Sequence, residues 1–311
     1  MSRNITVVGA GLVGRGWAIV FARAGHKVKL FDLTEEKIAD AFRIIDIHLD
    51  DLAAYHLVAE QSEIRGRIQG STDLAEAVSE ADWVQECVFE DLGVKRNLFN
   101  ALDAQAPVNA TLASSTSTFP GSAFTAGLKG RQRCLVAHPI NPPYLVPLVE
   151  IVPTSWTSPE TTAMAREFMA SVGQVPIVLR REVRGFVVNR LQVALLSEAF
   201  RLVEDDIIGA IDLDHAIADG LGLRWAFMGP FETIDLNAPG GIRDYVERLG
   251  KPYYEIAVEQ SPARKWDESL VARIEKDRRS VLAADQLTER QRWRDLYLMS
   301  IVATKNSRRE S

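Results

Sequence analysis

The sequence predicts an α/β fold: a mostly parallel sheet domain followed by an all-helical C-terminal domain. Three features carry this reading. The chain opens with a complete strand, glycine turn, helix and second strand; further short apolar runs recur at the spacing of a parallel sheet; and strand-like patterning gives way to helical periodicity near Gly185.

The opening unit is the most explicit. Ile5 to Val8 is a β-branched run that breaks into Gly9-Ala10-Gly11-Leu12-Val13-Gly14, after which Trp17, Ala18, Phe21 and Ala22 recur with helical spacing. Gly25 ends that helix, and Val28, Leu30 and Phe31 begin a strand that closes on Asp32. Each glycine has a separate task. Gly9 permits the tight turn, Gly11 lets a pyrophosphate approach the backbone, and Gly14 allows the helix to pack closely on the strand. The helix start offers amide donors and the positive end of its dipole. A lone Gly-x-Gly-x-x-Gly is a weak signal, but here it follows a strand, opens a helix and has an acid at the end of the next strand, which is the context a dinucleotide site requires. Asp32 is placed to accept hydrogen bonds from the adenosine ribose and to repel a 2′-phosphate, so the expected cofactor is NAD rather than NADP.

The stretch from Glu35 to about Arg67 is charged and helical with a break near Ala54 to Leu57, and reads as two helices projecting from the sheet. Further strands are expected over Trp83 to Val88, Leu112 to Ser114, Leu135 to His138, Leu148 to Val152 and Ile177 to Leu179. After the first of these come Glu90 and Lys95, at the sheet edge where strand ends open onto a nucleotide; an acid and lysine on a helix face is the competing reading. After the next comes the hydroxyl-rich loop Ser114-Ser115-Thr116-Ser117-Thr118, in which one hydroxyl is a candidate to hold a substrate oxygen.

Glu150 interrupts an otherwise apolar, β-branched run, and a carboxylate in a buried strand needs a partner. His138 stands at the end of the preceding strand, where Pro139 favours an extended conformation. The pair reads as a general base with the acid that orients it: a carboxylate accepting Nδ1–H leaves Nε2 free to take a proton. Taken alone, a strand-end histidine and a solvent-facing edge glutamate are equally compatible with the pattern. From Phe186 onward Val187, Leu191, Leu195, Leu196, Ala199 and Leu202 recur with helical period, so the domains are expected to span 1–184 and 185–311, with Asn189 in the first turns of the new helix, close to the crevice.

Composition excludes several classes of function. The chain of 311 residues is 47% hydrophobic and 25% charged with a formal net charge of −6, which argues against nucleic acid or an anionic membrane as principal partner. No apolar stretch reaches the length of a membrane span, the N-terminus enters a strand almost at once, and Cys87 and Cys134 are expected as free buried thiols, so a cytoplasmic protein is expected. The five histidines fit no metal-ligand spacing, and no metal is assigned.

Together these residues resemble the 3-hydroxyacyl-CoA dehydrogenase superfamily over essentially the whole chain. The helix-opening signature appears as Glu182, Gly185, Phe186, Asn189 and Arg190, and the segments SSTSTFP, AHPINPPYLVPLVEIVP, GFVVNRLQ and GLGLRWAFMGPFETIDLNAPGG are similar to its λ-crystallin, or L-gulonate 3-dehydrogenase, branch. The resemblance implies a Rossmann-type sheet domain, a helical domain that forms a homodimer, and oxidation of the 3-hydroxyl of L-gulonate to 3-dehydro-L-gulonate. By position it implies His138 as catalytic base with Glu150 as its partner, Ser117 and Asn189 on the substrate, and Leu12, Val13, Asp32, Glu90 and Lys95 on the cofactor. One departure bears on substrate. Where CoA-using members place Gly-Tyr-Pro before Met-Gly-Pro, this chain has Arg224-Trp225-Ala226-Phe227-Met228-Gly229-Pro230, and an arginine there suits a free carboxylate. An Arg224 paired with Glu232 or Asp235 is the competing reading. L-carnitine 3-dehydrogenase, 3-hydroxybutyryl-CoA dehydrogenase and a crystallin-like structural NADH-binding protein stand as alternatives.

Overall fold

A computed structural model describes residues 2–309 of the chain. Its contacts divide it into two units, one running to Asn189 and rejoined by residues from Arg292 onward, the other spanning Arg190–Gln291.

The first unit is built on one eight-stranded sheet with the order β3-β2-β1-β4-β5-β6-β7-β8. The strands are β1 (Asn4–Val8), β2 (Lys27–Phe31), β3 (Ile68–Ser71), β4 (Trp83–Glu86), β5 (Thr111–Ser114), β6 (Cys134–Pro139), β7 (Leu148–Pro153) and β8 (Val175–Val178). Pairing is parallel from β3 through β6, β7 runs antiparallel to β6, and β8 is parallel to β7. The order reverses between β1 and β4, and such a switch point opens a crevice beyond the C-terminal strand ends.

Alternation along the strands feeds two apolar clusters. Ile5, Val7, Leu135 and Ala137 join one, with Trp17, Phe21 and Phe168 from flanking helices. Val8, Val84, Cys134 and Val136 join the other, with Phe99 and Phe186. Period-2 alternation sends these two sets to opposite faces, so the sheet is covered on both sides.

Two sequence expectations need correction here. The helices Glu35–Ala54 and Gln61–Gly66 do not project from the sheet as expected: Ile38, Ala41, Ile45, Leu49 and Leu52 of the first are buried in the same cluster as the Leu12–Arg23 helix. The strand β3 was not anticipated. Its sequence, Ile-Gln-Gly-Ser, lacks a β-branched run because Gly70 is pressed by the Glu35–Ala54 helix; a Cβ there would lie 2.3 Å from Ile38 Cγ2.

The second unit is helical; Gly241–Gln260 is its longest helix, and it also holds most of the Val188–Glu204 helix and the helix Glu268–Val281. Arg201 ties it together locally. Its buried guanidinium donates to the carbonyls of Glu259, Gln260 and Pro262, groups left without intrahelical partners where the Gly241–Gln260 helix ends.

The returning C-terminal helix docks on the first unit through Met299, 1% exposed within its core, and an Arg292–Asp51 ion pair of 2.8 Å. Nearby, His48 lies against Tyr144 with ring centroids 5.0 Å apart. Burial lowers the His48 pKa, Arg15 lowers it further, and Asp295 and Asp51 oppose. The unfolded chain therefore takes up a proton near the ordinary histidine value of about 6.5 while the folded one resists it, so stability present above that pH falls as pH drops through it. His26 shifts in the same direction, again chiefly through burial. His48→Leu is expected to shrink, without abolishing, the drop in melting temperature between pH 7.5 and 5.5; an unchanged drop would show that His48 carries none of it.

Candidate active site

The turn after β1 meets the requirements of a dinucleotide cradle. Gly9 has φ +108°, and a Cβ on it would lie 2.7 Å from the Cys87 carbonyl oxygen. A Cβ on Gly14 would lie 1.8 Å from the Gly9 oxygen, so helix and turn touch backbone to backbone. At Gly11, by contrast, a Cβ would meet nothing within 4 Å. This open backbone is the N-cap of the Leu12–Arg23 helix, which has no side-chain cap, so its first amides are available to an anion.

A cavity of about 530 Å³ adjoins the turn, lined by Gly9, Gly11, Leu12, Val13, Asp32 and the apolar side chains around them, including Phe31, Val88 and Phe89. Asp32 faces it as an ionised acceptor. Its Oδ2 accepts from the Ala10 amide at 2.8 Å, and its Oδ1 accepts from the Leu33 amide at 2.8 Å and pairs with Lys37 at 3.2 Å. Burial pushes its pKa up, but the two amides and Lys37 outweigh that and hold it below the usual carboxylate value. An acid kept charged beside an apolar pocket suits a ribose diol with an adenine beyond it. These residues fit NAD: Gly11, Leu12 and Val13 at its phosphates and Asp32 at its adenosine ribose.

At the same sheet edge, β6 and β7 are paired so that His138 and Glu150 stand directly opposite each other. Their side chains meet at 2.8 Å, His138 Nδ1 to Glu150 Oε2. Glu150 is fully buried, and its other oxygen accepts from the amides of Val187 at 2.8 Å and Val188 at 3.1 Å. A buried charge without partners costs several kcal/mol; here the carboxylate has three donors. A carboxylate that only accepts fixes the proton on Nδ1, which leaves the Nε2 lone pair available. Nε2 has no hydrogen-bond partner among the described residues.

The two amides reach Glu150 because of an unusual turn. Gly185 and Phe186 both take positive φ, 74° and 51°, just before the Val188–Glu204 helix. For phenylalanine this conformation costs about 1–2 kcal/mol. Full burial of its ring, 5.6 Å from the His138 ring, offsets that cost.

The hydroxyl loop after β5 is organised by Glu90. Its Oε1 accepts from the Thr116 hydroxyl, the Ser117 and Thr118 amides and the Thr118 hydroxyl, while its Oε2 pairs with Lys95 at 3.2 Å. Ser117 keeps its own hydroxyl without a partner among the described residues, and its carbonyl oxygen accepts from Asn189 Nδ2 at 2.7 Å. Lys95 is 1% exposed, with its ammonium 2.8 Å from the buried Glu86. The structure thus brings Ser117, Asn189, Glu90 and Lys95 into one linked set, and His138 and Glu150 into another that shares the Val187–Asn189 turn. Arg224 lies in the second unit, on the short helix Gly222–Trp225; it is exposed and forms no ion pair with Glu232 or Asp235.

Glu86 and Gln85 were missed in the sequence. Gln85 accepts from Trp83 Nε1 and donates to Ser115 Oγ and the Ala137 carbonyl. The available signal was the one that exposed Glu150: polar residues set inside an apolar strand, here Trp-Val-Gln-Glu-Cys-Val.

A nucleotide crevice at the switch point, with a histidine–carboxylate pair at the same edge, defines an NAD-dependent dehydrogenase. The chain belongs to the 3-hydroxyacyl-CoA dehydrogenase family: the family's NAD-binding domain matches residues 4–183 and its C-terminal domain residues 185–280. It is 42% identical to a λ-crystallin homolog from Bos taurus, over 97% of this chain and 96% of that one. It is 35% identical to the L-carnitine dehydrogenase of Streptomyces griseus, covering 93% of this chain and 87% of the other. Among solved structures it resembles 5-formyl-3-hydroxy-2-methylpyridine 4-carboxylic acid 5-dehydrogenase, an NAD+-dependent dismutase, with a TM-score of 0.83, 27% identity and 98% of both chains covered. No helix among the described residues is long and apolar enough to cross a membrane.

His138→Gln is expected to lower turnover by about a hundred- to ten-thousand-fold while NADH still binds, as read by cofactor fluorescence. Near-normal turnover in this variant would remove His138 from the mechanism.

Proposed function

We propose that this enzyme oxidises the 3-hydroxyl of a small free hydroxy acid, with L-gulonate, giving 3-dehydro-L-gulonate, as its substrate. The His138–Glu150 pair carries the reaction class, since its unpartnered Nε2 can take a hydroxyl proton and its buried carboxylate steadies the imidazolium that results. Bound NAD supplies the hydride acceptor. Ser117, with a free hydroxyl, and Asn189 hold the substrate oxygen in line with Nε2. Glu90 would border the nicotinamide half of bound NAD, with Lys95 buried behind it as its ion-pair partner.

The absence of CoA rests on Arg224. Its guanidinium is exposed and unpaired with the acids nearest in sequence; Asp235 instead accepts from the Ile242 amide at 2.8 Å. A guanidinium binds a free carboxylate through two parallel hydrogen bonds, which a thioester does not offer. The dismutase it resembles is named for a free carboxylic acid as well. L-Carnitine is the second reading, favoured by the similarity to a carnitine dehydrogenase and by exposed Trp225 and Phe227, which suit a trimethylammonium group.

A homodimer formed through the second unit is part of this proposal. Leu191, Leu223, Phe227, Phe231, Leu236 and Tyr254 are all more than 60% exposed, and large apolar side chains left open in this number support an interface with a second copy. A cytoplasmic location is part of the same proposal.

Purified protein assayed for NADH formation with L-gulonate, L-carnitine, L-3-hydroxybutyrate and 3-hydroxybutyryl-CoA tests the reading. L-Gulonate is expected to give the highest kcat/KM, with Arg224→Ala raising its KM. Turnover of the thioester alone, or an unchanged KM in the variant, would overturn the assignment.

A further inference from the structure

The most enclosed ionic cluster in the sheet domain has no direct part in proton transfer. Lys95, 1% exposed, places its ammonium 2.8 Å from Glu86, itself fully buried, and 3.2 Å from Glu90, whose side chain is one-third exposed. The remaining lone pairs of Glu86 are also used: the Val88 amide donates to Oε1 at 2.8 Å, and the Ser114 hydroxyl donates to Oε2. Glu86 therefore holds the ends of β4 and β5 and the start of the following helix at one point. Glu90 extends the same cluster outward, spending one carboxylate oxygen wholly on Thr116, Ser117 and Thr118.

We infer that Glu86 and Lys95 are positioning residues, a buried ionic anchor that holds Glu90 and through it fixes the Ser117 hydroxyl over the reacting carbon. The inference rests on the dehydrogenase reading above and assigns Lys95 an indirect role at the cofactor edge. An ammonium bonded to two carboxylates inside the protein has little left to offer a ligand. Burial lowers the Lys95 pKa, but Glu86 and Glu90 overcome this and raise it, so the ammonium stays charged. Burial raises the Glu90 pKa, while Thr116, Lys95 and Thr118 bring it below the usual value, so the loop-holding oxygen stays an acceptor. The geometry also explains a cost. A buried pair of this kind adds little stability over an apolar one, and its retention is accounted for by the loop it positions.

The anchor is tested by removing both charges together, because deleting one partner strands the other in the interior. Glu86→Gln with Lys95→Met is expected to keep NADH binding within a few-fold and to lower kcat by about ten- to a hundredfold, the effect of a displaced contact group. In a Ser117→Ala background the same double substitution is expected to cost about a tenth as much or less, because both changes act on one interaction. Hydrogen exchange gives a readout free of substrate choice: the Ser117 and Thr118 amides should exchange about tenfold faster or more in the double variant. If the double variant does not fold, Glu86→Gln with Lys95→Gln, which keeps hydrogen-bonding groups in the site, gives the same readouts. Equal kcat losses with and without the Ser117 hydroxyl, or unchanged amide exchange, would overturn the anchor. Weakened NADH binding with unchanged kcat at saturating NAD would assign Lys95 to the cofactor instead. Failure of the wild-type protein to oxidise any hydroxy acid would count against the dehydrogenase reading, and the amide exchange would still decide the anchor.

Discussion

A carboxylate that cannot reach water is the constraint on which the rest of this molecule depends. Glu150 is fully buried in the middle of β7, and its charge is tolerable only because three donors converge on it. One is the imidazole directly across the antiparallel pair; the other two are the amides of Val187 and Val188, where the chain enters the next helix. The same interaction therefore orients the imidazole and holds the start of the Val188–Glu204 helix. Phe186 accepts a left-handed backbone to make that possible, and Asn189, one turn on, reaches back to the Ser117 carbonyl.

The nucleotide half is organised by a different economy, one of backbone closeness rather than buried charge. Gly9 and Gly14 are required because a Cβ on either would collide with backbone, whereas a Cβ on Gly11 would meet nothing, which leaves its backbone open to an anion. The two halves are related by topology. The strands β1, β4, β5 and β6 are parallel, so their C-terminal ends bring the glycine turn, the Glu90 segment, the hydroxyl loop and His138 to one edge.

Residues whose chemistry contradicts their surroundings were the readable ones. A glycine triplet between strand and helix, an acid closing the second strand and a glutamate inside a β-branched run each declared a site. Glu86 carried the same signature as Glu150 and was passed over, since Glu90 and Lys95 beside it have an ordinary reading as a helix-face pair. The strand β3 was illegible for a physical reason: packing of the Glu35–Ala54 helix demands Gly70, which erases the strand's own pattern. Nor could the sequence announce the positive φ of Phe186 or the amides of Val187 and Val188, because backbone donors carry no side-chain mark. Arg224 was visible as a departure from the CoA-using pattern, because a guanidinium stands where that pattern has Gly-Tyr-Pro.

Everything above the fold rests on the tautomer that Glu150 imposes on His138. Nitrogen NMR of the imidazole in the resting enzyme, with Glu150→Gln to assign the resonance, reads it directly. At a pH where the ring is neutral, the wild-type protein should carry a proton on Nδ1 and a bare Nε2, with that preference weakened in the variant. A proton on Nε2 in the wild-type protein would leave His138 with no lone pair to offer the substrate, and would contradict the account.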